Sequence, residues 1–148
     1  MPIRRLLYTS TSCLEPGDLT VTQQVEAIAA RAAVNNRNAG ITGMLAFVDG
    51  QFIQVIEGDS SSVEAAFERI CCNFSHSNVK LIDLVAVKTR MFEGWAMARL
   101  SEADEPGSFL DEELRNIRFL LGVNARIAVE KMHECLLARI RQPVPLFE

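Results

Sequence analysis

Hydrophobic residues recur along this chain with two periods, and the switches between them mark its elements. In "IRRLLYTS" Leu6, Tyr8 and Ser10 alternate with Arg5, Leu7 and Thr9, the two-residue period of a strand. "CLEPGD" then reads as a turn. From Leu19 the period lengthens: Val21, Val25, Ile28, Ala29 and Ala32 lie three or four apart, which predicts a helix capped by Asp18 or Thr20 and ending near "NNRNAG". "MLAFVDGQFIQVIEG" predicts two strands joined by a tight Asp49-Gly50 turn. Ser61 with Glu64 spells a capping box ahead of Val63, Phe67, Ile70 and Phe74, a second amphipathic helix. Beyond "HSNV" comes a β-like run, "KLIDLVAVKTR", then a turn at "FEG" and a short strand, "WAMARL". After "SEADEPGS" only helical spacing remains. Leu110, Leu114, Ile117 and Leu121 make one stripe; Ala128, Met132, Cys135, Leu136 and Ile140 make another, with Gly122 between them and Pro143 beyond.

The order β-α-β-β-α-β-β predicts an α+β fold, a ferredoxin-like sandwich with one extra strand and hence a five-stranded mixed sheet. A chain of 148 residues suits one hydrophobic core. Both C-terminal stripes are too regular to be left in water, and the sheet face opposite the first two helices needs a cover. We therefore expect both helices there, with Ile53 and Val55 beneath them.

Composition narrows the function. No apolar run approaches the roughly 20 residues of a membrane span, and "MPIRRLLYTS" lacks the apolar segment and cleavage site of a secretory signal, so a cytoplasmic protein without membrane contact is expected. The net charge of −4 and the scattered basic residues argue against direct contact with nucleic acid. Cys13, Cys71, Cys72 and Cys135 follow neither a disulfide framework nor a paired-cysteine spacing, and read as reduced structural thiols. Adjacent helical residues point about 100° apart, so Cys71 and Cys72 with His76 make a poor ligand set, and no metal is expected.

The chemistry gathers around Gln54. Phe52, Gln54 and Ile56 share one face of their strand, while Ile53, Val55 and Glu57 share the other. An amide between two large apolar neighbours costs about 1 to 3 kcal/mol unless it is paired. In this topology the first and third strands are neighbours, so the Tyr8 hydroxyl is a candidate partner. Asn36, four residues beyond Ala32, brings a second amide to the inner face of the first helix, with Asn35 nearer the edge beside Arg31 and Ile28. Trp95 and Met97 are expected on one face of the last strand. The same residues could make a purely structural network tying helix to sheet. Neither a Ser-His-Asp set, nor paired carboxylates, nor a P-loop lysine accompanies them.

These residues resemble the BLUF family of flavin-based blue-light sensors. The match lies in "LLYTS", "NNRNAGITGMLAFVDGQFIQVIEG", "HSNVKLI" and "RMFEGWAM", within about residues 1–100. The resemblance implies a photosensor domain over 1–100 and a helical extension over 101–148. It implies noncovalent FAD between the two helices, with Tyr8 photoactive, Gln54 switching, and Asn36 bonded to the flavin carbonyl region. Trp95 and Met97 match the pair linked to signalling; Ser10, Ile28, Arg31, Asn35, Phe52 and His76 match further cofactor contacts. Ala32 and Phe47 depart from the serine and tyrosine common among relatives. The implied activity is not enzymatic: light drives electron and proton transfer from Tyr8, and Gln54 reverses its hydrogen bonds. The signal would pass by protein contact to a downstream effector, and self-association as a homodimer is the default. Two rivals remain on the same fold. One is an acylphosphatase-like hydrolase with Arg31 and Asn36 gripping a phosphate, although "TSTSCLEPGD" supplies no arginine. The other is a flavinless oligomerising regulatory module.

Overall fold

The computed structural model describes residues 2–72, 76–101 and 109–141. Five strands and four helices follow the order β1 (Ile3–Ser12), α1 (Val21–Ala39), β2 (Thr42–Val48), β3 (Gln51–Asp59), α2 (Ser60–Cys71), β4 (His76–Val87), β5 (Ala98–Ser101), α3 (Phe109–Leu121) and α4 (Ala125–Arg141). The sheet runs β4-β1-β3-β2-β5, antiparallel except where β2 pairs with β5. It is the expected α+β fold with a five-stranded mixed sheet.

Local chemistry explains most boundaries. Thr20 caps α1 in a reciprocal box with Gln23, and Gly40 closes it in the left-handed region. At the β2–β3 turn both Asp49 (φ 49°) and Gly50 (φ 74°) have positive φ, the geometry that matches the twist of a two-residue hairpin. The start of α2 differs from expectation. Asp59, the last residue of β3, is its cap: the carboxylate accepts from Ser62 N at 2.9 Å and from the Ser61 and Ser62 hydroxyls, which holds it below the usual aspartate range. The strand runs straight into the helix, so Ser61 already lies inside it.

Strand β4 starts at His76, earlier than the hydrophobic run suggested, and carries two irregularities. Its register against β1 steps from Leu7↔Asp83 to Tyr8↔Leu81, and from Thr9↔Lys80 to Thr11↔Ser77. An extra residue therefore sits in β4 at each step, and Asn78 there has φ 53°. Strand β5 is shorter than expected. Trp95 and Met97 precede it, in an irregular segment, and so are free of strand alternation. Phe74 and Pro143, and the side chains of Leu110 and Ile140, lie outside the described residues.

The two sheet faces carry separate cores. Leu7, Met44, Ala46, Ile53 and Val55 point to one side, where they meet Leu114 and Ile117 of α3 and Ala128, Val129, Met132, Cys135 and Leu136 of α4, all buried. Both C-terminal helices thus cover the face assigned to them, over Ile53 and Val55. Leu6, Tyr8 and Ile56 point to the other side, beneath Val63 and Ala66 of α2, while Leu45 and Phe52 lie beneath Val25 and Ala29 of α1.

Candidate functional site

Helices α1 and α2 cross the sheet side by side and leave a cleft of about 300 Å³ between them. Its floor is Tyr8 of β1 with Leu45, Phe52 and Gln54 of the hairpin. Ala27, Ile28, Arg31, Ala32, Asn35 and Asn36 line one wall; Ala66, Arg69 and Ile70 line the other, and His76 closes the end. Eight of the nine expected cofactor contacts border this one space. Ser10 does not, but it is buried behind His76 and bonds to it.

The register of β1 on β3 sets Tyr8 directly opposite Gln54. Side chains of opposed residues on one face stand close enough to touch, and the Tyr8 hydroxyl donates to Gln54 Oε1. At the other end of the amide, Nε2 donates to Met97 Sδ at 3.6 Å. The buried glutamine is therefore satisfied at both ends. Its orientation is also fixed by chemistry: a thioether can accept but has no hydrogen to give, so the reversed amide would set Oε1 against sulfur without a donor.

Tyr8 is 3% exposed, and its ring packs against Phe67 at 5.6 Å and His76 at 6.2 Å between centroids. Burial first, and the nearby Cys71 second, push its phenol well above the ordinary tyrosine value near 10. It therefore stays a proton donor across the biological range. Because the folded value is the raised one, the fold keeps this contribution below about pH 10 and loses it as alkali favours the ionised, unfolded chain. We expect the urea midpoint to hold up to about pH 10 and to fall as the pH rises above it, and Tyr8→Phe to lessen the drop.

His76 is held at both nitrogens: Nε2 lies 2.6 Å from the Ile70 carbonyl and Nδ1 2.7 Å from Ser10 Oγ. The carbonyl only accepts, so Nε2 carries a hydrogen, and a singly protonated ring accepts from Ser10 at Nδ1. Cys71 and Cys72 are exposed. Asn36, 5% exposed, donates through Nδ2 to the Ala96 carbonyl at 2.7 Å and so ties α1 to the segment before β5.

Trp95 and Met97 part company here. Met97 packs on the cleft side, while Trp95 joins the core on the α3 and α4 side, its ring 6.4 Å from that of His133. The shared face expected for them needed a strand, and the chain has no strand at 95–97. Arg69 was missed altogether. It stands beside Ile70 on the edge of the α2 apolar stripe, exposed across the cleft from the exposed Arg31. The signal for Arg69 is the one that Arg31 also carries, a cation at the border of a helical apolar stripe.

Apolar walls, a floor of phenol and amide, and two guanidinium groups at the mouth suit a flat ring with polar edges and an anionic tail. A family model described as sensors of blue light using FAD, BLUF, matches residues 3–98. Nothing among curated protein sequences matches the chain. Among solved structures, BlrB, a BLUF protein in its dark state, is 25% identical over 93% of this chain and 97% of that one, at a TM-score of 0.72. BlrP1 of Klebsiella pneumoniae with FMN and cyclic diGMP is 25% identical, with 84% of this chain and 36% of that one covered and a TM-score of 0.63. A bacterial light-regulated adenylyl cyclase shares the fold at 22% identity, with 84% and 34% covered and a TM-score of 0.66. The chain spans about a third of the length of these last two proteins.

Proposed function

The chain belongs to the BLUF family, the sensors of blue light using FAD, and we propose that it binds FAD noncovalently in the α1/α2 cleft and responds to blue light through Tyr8 and Gln54. The observation that carries this reading is the buried hydrogen bond from Tyr8 to Gln54 at the cleft floor. Ile28 and Phe52 would pack on the isoalloxazine, Asn35, Asn36 and Gln54 would meet its polar atoms, and Arg31 with Arg69 would face the diphosphate. His76, braced by Ser10, would close the end of the slot.

Bound FAD would supply the absorption of blue light and, once excited, an oxidant. Tyr8 holds the proton that matters at Oη. Loss of an electron makes a phenol strongly acidic, and the proton has a ready path along the existing bond to Gln54 Oε1. Beside a bound ring with polar edges, Gln54 would gain a second arrangement, in which Oε1 no longer has to face the Met97 sulfur. Its donor and acceptor ends are nearly equal in size, so rotation or tautomerisation reverses the pattern at little steric cost. Reversal removes the donor from Met97 Sδ, so the bond between Gln54 and Met97 is where the change would leave the cleft. The signal would pass through the sheet to α3 and α4, and from there to an effector protein. Self-association, as a homodimer by default, would draw on exposed Phe119 and Val123 near the α3–α4 turn.

A hydrolase on this scaffold has less support. Arg31 stands exposed at the rim while Asn36 is buried beside Ala96 O, so the two do not converge as a phosphate grip would require. Among the described residues no helix is long and apolar enough to cross a membrane.

The test is reconstitution. FAD added to the purified chain should be retained through gel filtration and should give a flavin absorption band that shifts reversibly to the red under blue light. A chain that retains no flavin overturns the reading. Gln54→Leu should keep the flavin and lose the shift, since leucine has no amide to reverse; a normal shift in that variant would remove Gln54 from the mechanism.

A further inference from the structure

Glu57 is a buried ionisable group that the light response above leaves unused. It follows Gln54 by three residues on β3, points to the opposite sheet face, and is 0% exposed. Its two oxygens are fully engaged. Oε1 accepts from Phe92 N at 2.8 Å and Thr42 Oγ1 at 3.3 Å; Oε2 accepts from Met91 N at 2.8 Å and Arg5 Nε at 2.9 Å. One carboxylate thus grips two consecutive backbone N–H groups of the segment that joins β4 to β5. Such a pair of bonds fixes the orientation of both peptide planes, and with it the direction in which the following residues leave.

Neighbouring contacts reinforce the grip. Arg90 donates to the Glu57 carbonyl and Thr42 Oγ1, both at 3.1 Å, and to Gly40 O at 2.8 Å. Further along, Gly43 N donates to Trp95 O at 3.0 Å, a contact at a residue where any Cβ would lie 2.1 Å from the Val55 carbonyl oxygen. The rings of Phe92 and Trp95 both meet His133 of α4 edge-on. Met97, five residues beyond Phe92, is the residue bonded to Gln54. A single strand therefore holds both ends of this segment, by Glu57 on the α3/α4 side and by Gln54 on the cleft side.

We propose that Glu57 is a positioning residue for the light response: its carboxylate anchors Met91 and Phe92 and thereby sets how Met97 meets Gln54 and how Trp95 meets His133. The light-dependent half of this proposal rests on the photosensor reading; the anchoring half does not. With one end pinned, a change at Met97 is carried to Trp95 and α4 rather than absorbed by sliding of the whole segment.

Glu57→Gln tests it, because the side chain keeps its volume but presents an NH2 donor to one of the two N–H groups. Trp95 is the only tryptophan, so its emission reports the segment directly. We expect the flavin-free variant to keep a native circular dichroism spectrum while its Trp95 emission moves to longer wavelength. With FAD loaded, dark recovery of the light-induced shift should be about tenfold faster. Arg5→Gln, which removes the ion pair but keeps the carboxylate on both backbone donors, should leave Trp95 emission where it was. Unchanged emission in folded Glu57→Gln, or an equal shift in Arg5→Gln, overturns the anchor; shifted emission with unchanged recovery overturns its link to light. If the unsubstituted protein with FAD shows no light-induced shift, the photosensor reading fails by itself, and Trp95 emission without flavin still decides the anchor. Should Glu57→Gln not fold, amide exchange in the unsubstituted protein decides instead. Slow exchange at Met91 and Phe92 in darkness and in light supports the anchor, and fast exchange in either overturns it.

Discussion

Tyr8→Phe is expected to retain FAD and to lose the light-induced red shift entirely. The ring is enclosed by Phe67, His76 and the core beneath α2, so phenylalanine fills the same space. What disappears is the hydroxyl that donates to Gln54 Oε1, and the chain has no other tyrosine to replace it. The acceptor end of Gln54 then loses its partner at a cost of about 1 to 3 kcal/mol. That cost is small against the stability of a domain, so the variant should fold. Flavin content after gel filtration and a difference spectrum between dark and illuminated samples check both halves. A preserved red shift would take the photochemical role away from Tyr8.

Ending the chain after Leu100 should have the largest structural effect. Leu114, Ile117, Val129, Met132 and Leu136 are buried against the sheet in the same core as Ile53 and Val55. Each such side chain contributes about 1.5 to 3 kcal/mol by burial, and five together rival the roughly 5 to 15 kcal/mol that holds a whole domain folded. Phe92 and Trp95 would also lose their contact with His133. We expect the shortened chain to aggregate or to bind a dye specific for exposed apolar surface, with little flavin retained. A soluble, monomeric, FAD-loaded fragment with cooperative unfolding would show that residues 1–100 stand alone as a domain and that α3 and α4 are an accessory.

The Tyr8 and Gln54 pairing was legible in the sequence because two rules agreed. Strand alternation put each polar group on an inward face, and the βαββαββ order made their strands neighbours. The inward face of α1 was legible for the same reason, since Asn36 follows Val25 and Ala29 at helical spacing. The β-like spacing of "WAMARL" puts Trp95 and Met97 on a strand, whereas only Ala98–Ser101 pairs with β2, because nothing in the local spacing shows where pairing begins. The cap of α2 was misread because a good box at Ser61 and Glu64 competed with an aspartate that ends a strand. Nothing local decides that contest; the pairing of Asp59 with Ile3 across the sheet does. Glu57 was overlooked although the argument that found Gln54 applies to it equally. A carboxylate on the same strand face as Ile53 and Val55 is a buried charge, and it needed the fold to reveal that Met91 and Phe92 answer it.

The two irregularities of β4 have a consequence for solubility. β4 is an outermost strand, and it exposes Leu81 and Leu84, the kind of ladder edge onto which a second chain can add. A smooth edge would invite growth of the sheet from one molecule to the next. Here the extra residues near Ile82 and Asn78 break the even spacing of outward N–H and C=O groups and twist the edge locally. Lys80, Asp83 and Lys88 add charge along the same border. An incoming strand therefore finds only short stretches in phase with itself, which disfavours edge-to-edge growth of the sheet over Leu81 and Leu84.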